Sequence, residues 1–369
     1  MQKRRLAILQ NEVPDDHLLW EHACAEHSDM LECEVVDITR NDWLRRMRAG
    51  RFDAMLATPP GWSTPFRIQF DERITILHTV LGIPIYPSFE EIQVYENKKY
   101  LAYWLEANNI PHPKTETLYY EDEALALVEK SALPLVGKTS IGGGGSGVTI
   151  LKTRDAAVEY VKNTFSGKGT SLDVGPKWRK KGFIKRVFQK LLHPAEFRLK
   201  LQQYRFQRSE VQKDFVILQE FIPHDFEWRV VRIGDSFFAH KKLVKGDKAS
   251  GSLLKGYENP PFALLDFVEK ITDRRGFLSQ AVDLFEAPDG SYLVNEMQCI
   301  FGQSDPYQML VDGQPGRYRR IGGAWVFEPG DFNRIECFAL RVEHVLALLT
   351  ESSGGFAHVE KSVTEAHGV

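Results

Sequence analysis

Two stretches of the chain carry residues suited to phosphate and to a divalent cation. The first is residues 134–149, PLVGKTSIGGGGSGVT, an apolar run ending in Lys138 and followed by five glycines within six positions. Glycine reaches positive φ without a Cβ penalty, so backbone N–H groups can approach phosphate oxygens, and a lysine at the strand end adds a point charge. The lysine precedes the glycines, which excludes the Walker A order GxxxxGK[ST]. With GVTILK returning as a partner strand, the pattern predicts a hairpin flap, its plain alternative being a glycine-rich hairpin tip. The second stretch is residues 281–298, AVDLFEAPDGSYLVNEMQ, two strands turning at Pro288, Asp289 and Gly290. That hairpin can bring Asp283 and Glu296 side by side. Facing carboxylates repel, so the arrangement calls for a function such as divalent-metal binding.

Two further groupings bear on chemistry. Residues 177–200 hold nine Lys or Arg against one Glu, with Trp178, Phe183, Phe188 and Phe197 interleaved. This reads as a basic surface for an acidic partner (an acidic peptide, a polyanionic glycan, an anionic lipid head group or RNA) or as an amphipathic insertion with solvated charges. His22, Cys24 and His27 lie close together on a predicted helix, but no metal-site spacing accompanies them, so they read as helix surface and core.

The chain has 369 residues, which suits two or three lobes at about 100 to 200 residues each. Lys and Arg number 47 against 50 Asp and Glu, a net charge of -3, so no global charge excess argues for nucleic acid or an anionic membrane. The four cysteines, Cys24, Cys33, Cys299 and Cys337, form no CxxC pair, and no apolar run approaches the roughly 18 to 20 residues of a membrane span. The basic N-terminus has a short apolar run broken by Gln10, Asn11 and Glu12, which reads as a first strand and not a signal peptide. A reducing, cytoplasmic setting is expected.

Residues 5–94 alternate strand-like and helix-like pieces, which predicts a parallel sheet covered by helices. No GxGxxG follows the first strand, so this is not read as a dinucleotide fold; the strand ends at residues 10–13 and 58–64 would face a ligand crevice. A helix within 95–109 precedes an extended IPHPKT segment set by Pro111 and Pro113. After the flap come strands FVILQEFI, EWRVVRI and FFAHKKLV, the last two joined by a Gly-Asp turn, and a helix around residues 262–276. The segment from residue 331 to about 349 predicts an apolar-periodic helix, which could serve a homodimer. The remaining tail has little core-forming content.

Taken in order, these motifs resemble the ATP-grasp ligases over roughly residues 95–300, nearest in pattern to the ribosomal-protein glutamate ligase-like and D-alanine:D-alanine ligase-like enzymes. The resemblance implies an α/β fold of the α+β ATP-grasp kind. An N-terminal parallel α/β lobe (1–94) is followed by two α+β lobes clamping ATP: 95–220, with the flap and a basic insertion at about 166–213, and 221–349, with the metal site. A flexible tail (350–369) follows. It implies that Lys98 and Lys138 bind phosphates under the flap of Gly142, Gly143, Gly144, Gly145 and Ser146, and that Gln219, Glu220, Phe221 and Ile222 form the adenine-reading hinge. Glu227 then binds the ribose hydroxyls, Arg229 with Lys241 or Lys242 supplies charge near the γ-phosphate, and Asp283, Glu296 and Gln298 hold Mg²⁺, as two ions for which Mn²⁺ can substitute. Gln298 stands where the family usually has Asn, and Ala281 where it often has Arg. Ser250, Ser252, Lys255 and Tyr257 are candidates for the substrate end, with Gln303, Asp305 and Tyr307 nearby in sequence. Cys299 has no oriented base and is not read as a nucleophile.

The implied reaction joins a carboxylate and an amine through an acyl phosphate, releasing ADP and phosphate, with a polyanionic acceptor at residues 177–200. The alternatives are a phosphotransferase on the same site, or a non-catalytic ATP-binding protein that docks a partner.

Overall fold

The computed structural model describes residues 3–61, 63–141, 147–171, 211–245, 248–249, 254–301, 303, 305–350 and 356. The chain divides into two compact units, one formed by Met1–Pro60, Phe66–Pro113 and Ile222–Val369, the other by Gly61–Pro65 and Lys114–Phe221. Residues 95–113 therefore pack with the first unit, whereas the sequence reading began the flap-bearing lobe at residue 95. The reason is apolar: Leu101, Trp104, Leu105 and Ile110 share one core with Trp228, Val230, Leu264 and Val268.

The first unit opens with four parallel strands, β1 (Arg4–Gln10), β2 (Leu31–Asp37), β3 (Ala54–Ala57) and β4 (Ile85–Tyr86), in the order β2-β1-β3-β4. Successive side chains of β1 point to opposite faces. Leu6 and Ile8 join Trp20 of α1 (Leu18–Ala25) and Phe338, Val342 and Val345 of the C-terminal helix (Phe338–Thr350), while Ala7 and Leu9 join Met47 of α2 (Trp43–Gly50) and Phe70 of α3 (Thr64–Thr75). Both faces are covered, which is why the strands read as apolar runs. The C-terminal helix begins at Phe338, seven residues later than its apolar pattern suggested, after a turn in which Ile335, Glu336 and Cys337 all have positive φ. Its apolar residues lie in the chain's own core, so a homodimer would have to use another surface.

Two short helices follow, α4 (Phe89–Val94) and α5 (Lys98–Ala107). Asn97 caps α5, its side chain accepting from the Tyr100 N–H at 3.2 Å, which fixes the start of the helix at Lys98. The rest of this unit is a large sheet with antiparallel pairings. It comprises β11 (Phe226–Ile233), β12 (Ser236–Lys245), β13 (Lys248–Ala249), β14 (Lys255–Gly256), β15 (Ser279–Glu286), β16 (Tyr292–Gln298), β17 (Leu310–Val311), β18 (Gln314–Ile321) and β19 (Ala324–Pro329), with helix α8 (Phe262–Asp273) against it. The main order is β16-β15-β11-β12-β18-β17; β13 and β14 add to β12, and β19 to β18. Strands β17 to β19 were not anticipated. Their Gly322-Gly323 turn, with both φ positive, is a tight hairpin signal that the sequence does contain.

The second unit is a sheet in the order β5-β10-β6-β7, from β5 (Thr115–Leu118), β6 (Leu135–Lys138), β7 (Val148–Leu151) and β10 (Val216–Glu220). Helices α6 (Glu121–Lys130) and α7 (Arg154–Phe165) contribute Ala124, Val128, Ala157 and Val161 to its core, and a two-strand ribbon pairs β8 (Thr170–Ser171) with β9 (Val211–Gln212). The basic segment 177–200 and the tail beyond residue 356 lie outside the described residues. Among the described residues, no helix is long and apolar enough to cross a membrane, and all four cysteines are free thiols.

Candidate active site

The hairpin of β15 and β16 sets Asp283 and Glu296 directly opposite one another. Its turn is closed by the Gly290 N–H on the Ala287 carbonyl and the Ala287 N–H on the Ser291 carbonyl, both 2.8 Å, with Gly290 at φ 82°. Beyond Asp283 the register slips: Leu284 pairs with Val294, so Asn295 is an extra residue on its strand. Such a bulge re-aims the residues beside it. Here the Asn295 side-chain amide donates to Glu227 Oε1 at 3.1 Å, linking β16 to β11.

Glu227 and Arg229 are two apart on β11, so they share a face, and their cross-strand partners on β12 are Lys242 and His240. Arg229 grips both oxygens of Asp283, Nε to Oδ1 at 2.7 Å and Nη2 to Oδ2 at 2.8 Å, and Nη2 also donates to Gln298 Oε1 at 3.1 Å. Lys242 bridges Glu227 Oε2 and Asp283 Oδ2, each at 2.7 Å. Asp283 is 1% exposed. Burial works to raise its pKa, but Arg229 and Lys242 outweigh it and hold the carboxyl well below its usual range. Burial likewise opposes the charges of Arg229 and Lys242, and the carboxylates around them raise both above their ordinary values. His240, beside this network, is 2% exposed, and burial together with Arg229 pushes its pKa down to about 3, leaving a neutral ring whose Nδ1 lies 2.9 Å from the Gln308 carbonyl.

Lys241 does not join this group. It pairs with Trp228 in register, which puts it on the opposite face of β12, over the Phe226 ring at 4.1 Å and the Trp228 ring at 5.0 Å, with Nζ 2.5 Å from Glu258. Of the two adjacent lysines, Lys242 is the one among the carboxylates.

Lys98 enters from the first turn of α5, and its Nζ lies 3.7 Å from Glu96 Oε2. Glu96 Oε1 accepts from the Gln298 amide at 3.2 Å, so Gln298 turns its nitrogen to Glu96 and its oxygen to Arg229. Burial raises the Glu96 pKa, opposed by Lys98 and reinforced by Glu296. Glu96, Asn295, His240 and His224, whose Nε2 is 3.8 Å from Glu227, were not anticipated. The Gly234-Asp235 turn fixes which residues of β12 face Glu227 and so could have pointed to His240 and Lys242, whereas nothing in the sequence announces the Asn295 bulge.

A second polar group continues the same face. Lys255 on β14 pairs in register with Lys242, and its ammonium reaches Gln303 and, at 3.1 Å, Asp305. The Tyr257 hydroxyl donates to Asp305 at 2.5 Å, and the Tyr257 and Tyr307 rings meet edge to face at 5.0 Å. Ser250 and Ser252 lie outside the described residues. Cys299 is fully buried, and burial pushes its thiol well above the ordinary value, which makes it inert.

In the second unit, Lys138 ends β6 opposite Val148 and is 8% exposed; its carbonyl accepts from the Gln212 side chain at 3.3 Å. A Cβ at Gly137 would lie 2.6 Å from the Tyr160 ring, so a side chain there would force the ring to shift. The flap residues Gly142, Gly143, Gly144, Gly145 and Ser146 lie outside the described residues. On β10, Gln219 donates to Thr115 Oγ1 at 2.8 Å and Glu220 Oε1 accepts from the Lys114 N–H at 2.7 Å. Phe221 ends this unit, and Ile222, whose carbonyl lies 2.7 Å from His224 Nδ1, begins the last segment of the other.

The residues present suit a magnesium ion in one way only. Among the described residues, no three His, Cys, Asp or Glu side chains form a group that could hold a metal. Glu296 supplies a carboxylate opposite Asp283, but both Asp283 oxygens are engaged by Arg229 and Lys242 and the Gln298 oxygen by Arg229, so ligation by Asp283 or Gln298 requires these cations to give way. That set fits an ion completed by phosphate oxygens and water, the usual preference of Mg²⁺, and does not fit a protein-only cage.

No known protein-family pattern and no curated protein matches the chain. Among solved structures, it is similar to the D-alanine–D-alanine ligase of Bacillus anthracis, with a TM-score of 0.51 at 14% identity over 95% of this chain and 100% of that one. The N5-carboxyaminoimidazole ribonucleotide synthetase of Thermotoga maritima gives 0.50 at 12% identity over 94% and 76%. The biotin carboxylase domain of the 2-oxoglutarate carboxylase of Hydrogenobacter thermophilus gives 0.50 at 13% identity over 84% and 66%. All three are ATP-grasp proteins, and at such identities the likeness speaks to architecture. The parallel N-terminal sheet, the unit carrying the β6-β7 hairpin and the large antiparallel sheet are the elements of the fold that this chain shares with these structures.

Proposed function

We propose that the protein is an ATP-dependent carboxylate-amine ligase that works through an acyl phosphate and releases ADP and phosphate. The observation that carries the reading is the opposed pair Asp283 and Glu296, with Arg229 and Lys242 fixed on Asp283, on the sheet of an ATP-grasp fold. ATP carries about four negative charges, so a nucleophilic carboxylate can approach it only where cations neutralise the phosphate oxygens. Bound Mg²⁺ would supply part of that charge, with Asp283 and Glu296 as its protein ligands; the Hydrogenobacter neighbour, of similar fold, was solved with magnesium ADP. Two ions, and replacement by Mn²⁺, belong to the same proposal.

Lys98 and Lys138 would hold phosphate oxygens, and Lys242, in keeping Asp283 ionised and oriented, would prepare the metal end of the site. Glu227, fixed by Lys242 and Asn295, presents a carboxylate that could accept from ribose hydroxyls. Gln219 to Ile222 would contact adenine, and the glycine flap would exclude water from the acyl phosphate. For the acceptor we propose an acidic peptide or a uronic-acid glycan, on the charge of residues 177–200 alone.

The test is to incubate purified protein with ATP, Mg²⁺ and a panel of carboxylates and amines, identifying the nucleotide and organic products. ADP with a product lighter by one water than its two substrates is expected. AMP with pyrophosphate would refute the acyl-phosphate route, and a phosphorylated hydroxyl product would make the protein a phosphotransferase.

A further inference from the structure

Glu96 is an acid placed where both backbone and solvation oppose it. Its φ is 48°, in the left-handed region that Gly and Asn occupy far more readily than Glu. Its side chain is 9% exposed, and Oε2 is buried without a hydrogen-bond partner. A strained backbone and a poorly satisfied buried carboxylate each cost free energy, and such combinations persist where a site needs them. Glu96 stands between two of the residues discussed above. Oε2 lies 3.7 Å from Lys98 Nζ, and Oε1 takes the Gln298 amide hydrogen at 3.2 Å. Because that amide is committed to Glu96, the Gln298 oxygen must face Arg229, at 3.1 Å, and through Arg229 the chain of contacts continues to Asp283.

We infer that Glu96 is a positioning residue for nucleotide binding, whose two oxygens aim the Lys98 ammonium and set the orientation of the Gln298 amide. The inference rests on the proposal that Lys98 meets ATP phosphates. The left-handed turn is what allows one carboxylate to reach both partners: it carries the side chain of Glu96 inward just before Asn97 starts α5. The carboxylate also suits Gln298 in place of a shorter amide, since a longer side chain has more rotamers to restrain. A residue kept only for stability would not combine an acid with this backbone, because Asn would satisfy the turn better.

The experiment measures ATP affinity in excess Mg²⁺ by calorimetry, with melting temperature, for the full-length protein and its Glu96→Asn, Glu96→Gln, Lys98→Met and Glu96→Gln/Lys98→Met forms. Glu96→Asn should melt at or above the wild-type temperature yet bind ATP about tenfold more weakly. Glu96→Gln should also bind more weakly, and the double variant should lose less than the sum of the two single losses, the part beyond Lys98→Met acting through Gln298. A Glu96→Gln protein that binds ATP as the wild type does would overturn the inference, even if Glu96→Asn failed to fold. Strictly additive losses in the double variant would overturn it as well, since Glu96 would not then act through Lys98. A wild-type protein that binds no ATP would sink the functional reading itself, an outcome distinct from equal binding by wild type and variants.

Discussion

Lys241 and Lys242 are adjacent in sequence, and the fold assigns them opposite environments, so replacing each by Met should have very different consequences. Lys242 has a side chain 7% exposed and donates at 2.7 Å to two carboxylates that are themselves 8% and 2% exposed. Removing one member of a buried ion network leaves the others uncompensated and costs about 3–5 kcal/mol. Arg229 still holds Asp283 in that variant and Asn295 still holds Glu227, which favours the lower end of the range. Lys241 pairs with Glu258, whose side chain is 65% exposed, and screening leaves such a pair roughly 0–1 kcal/mol. Its contact with Phe226 and Trp228 adds about 0.5–1 kcal/mol. The expected gap between the variants is therefore about 1–4 kcal/mol, and with an unfolding entropy of about 2.1 cal/mol/K per residue over 369 residues this is a shift of roughly 1–5 °C in melting temperature. Because the Lys242 pKa is raised, its contribution is fully present below the ordinary lysine value near 10.5 and is lost only as pH rises through the higher folded value. The gap should thus be flat between about pH 6 and 9. Urea unfolding followed by tryptophan fluorescence, with calorimetric ATP binding in parallel, measures both effects. Equal destabilisation by the two substitutions, or a larger loss of ATP affinity in Lys241→Met, would refute the assignment of Lys242 to the site.

Further expectations concern pH, packing and the metal. Glu91, fully buried, has its pKa raised by burial to about 7 even though three backbone N–H groups, of Ser88, Leu278 and Ser279, donate to it. A raised folded pKa means stability that is complete below the ordinary value near 4.5 and declines as pH rises to about 7; burial of Glu12, raised to about 7, and of Asp16, raised to about 6, adds the same slope. Denaturation curves across that window should show the decline, and Glu91→Gln should flatten part of it while costing about 1–3 kcal/mol, because an amide N–H would then face backbone donors. Gly137→Ala should destabilise by about 1–3 kcal/mol through the Tyr160 ring, read in the unfolding midpoint, and pairing it with Tyr160→Leu should recover part of the loss. Glu296→Ala should reduce the gain in ATP affinity on adding Mg²⁺ by at least about tenfold, with little change in metal-free ATP binding; an unchanged Mg²⁺ response would remove Glu296 from the ligand set.

The alternation of apolar residues in the chain determines the strands themselves. Leu6 and Ile8 against Ala7 and Leu9 already declare a strand buried on both faces, and Asp289-Gly290 between Phe285 and Leu293 declares the hairpin that opposes Asp283 and Glu296. Those are local properties, set by side-chain period and turn chemistry within a few residues. The tight Gly234-Asp235 turn also contained, unread, the register that puts Lys242 opposite Glu227. What required the folded chain were contacts between residues far apart in sequence. Asn295 reaches Glu227 from a bulge in the pairing of β15 with β16, and residues 95–113 belong with the large sheet because their apolar side chains find Trp228 and Val230. Glu96 meets Gln298 across 202 positions through a left-handed turn for which its residue type gives no hint. Periodicity reports only which side of an element is apolar; which distant element covers that side, and which polar groups are buried together there, is decided when the whole core closes.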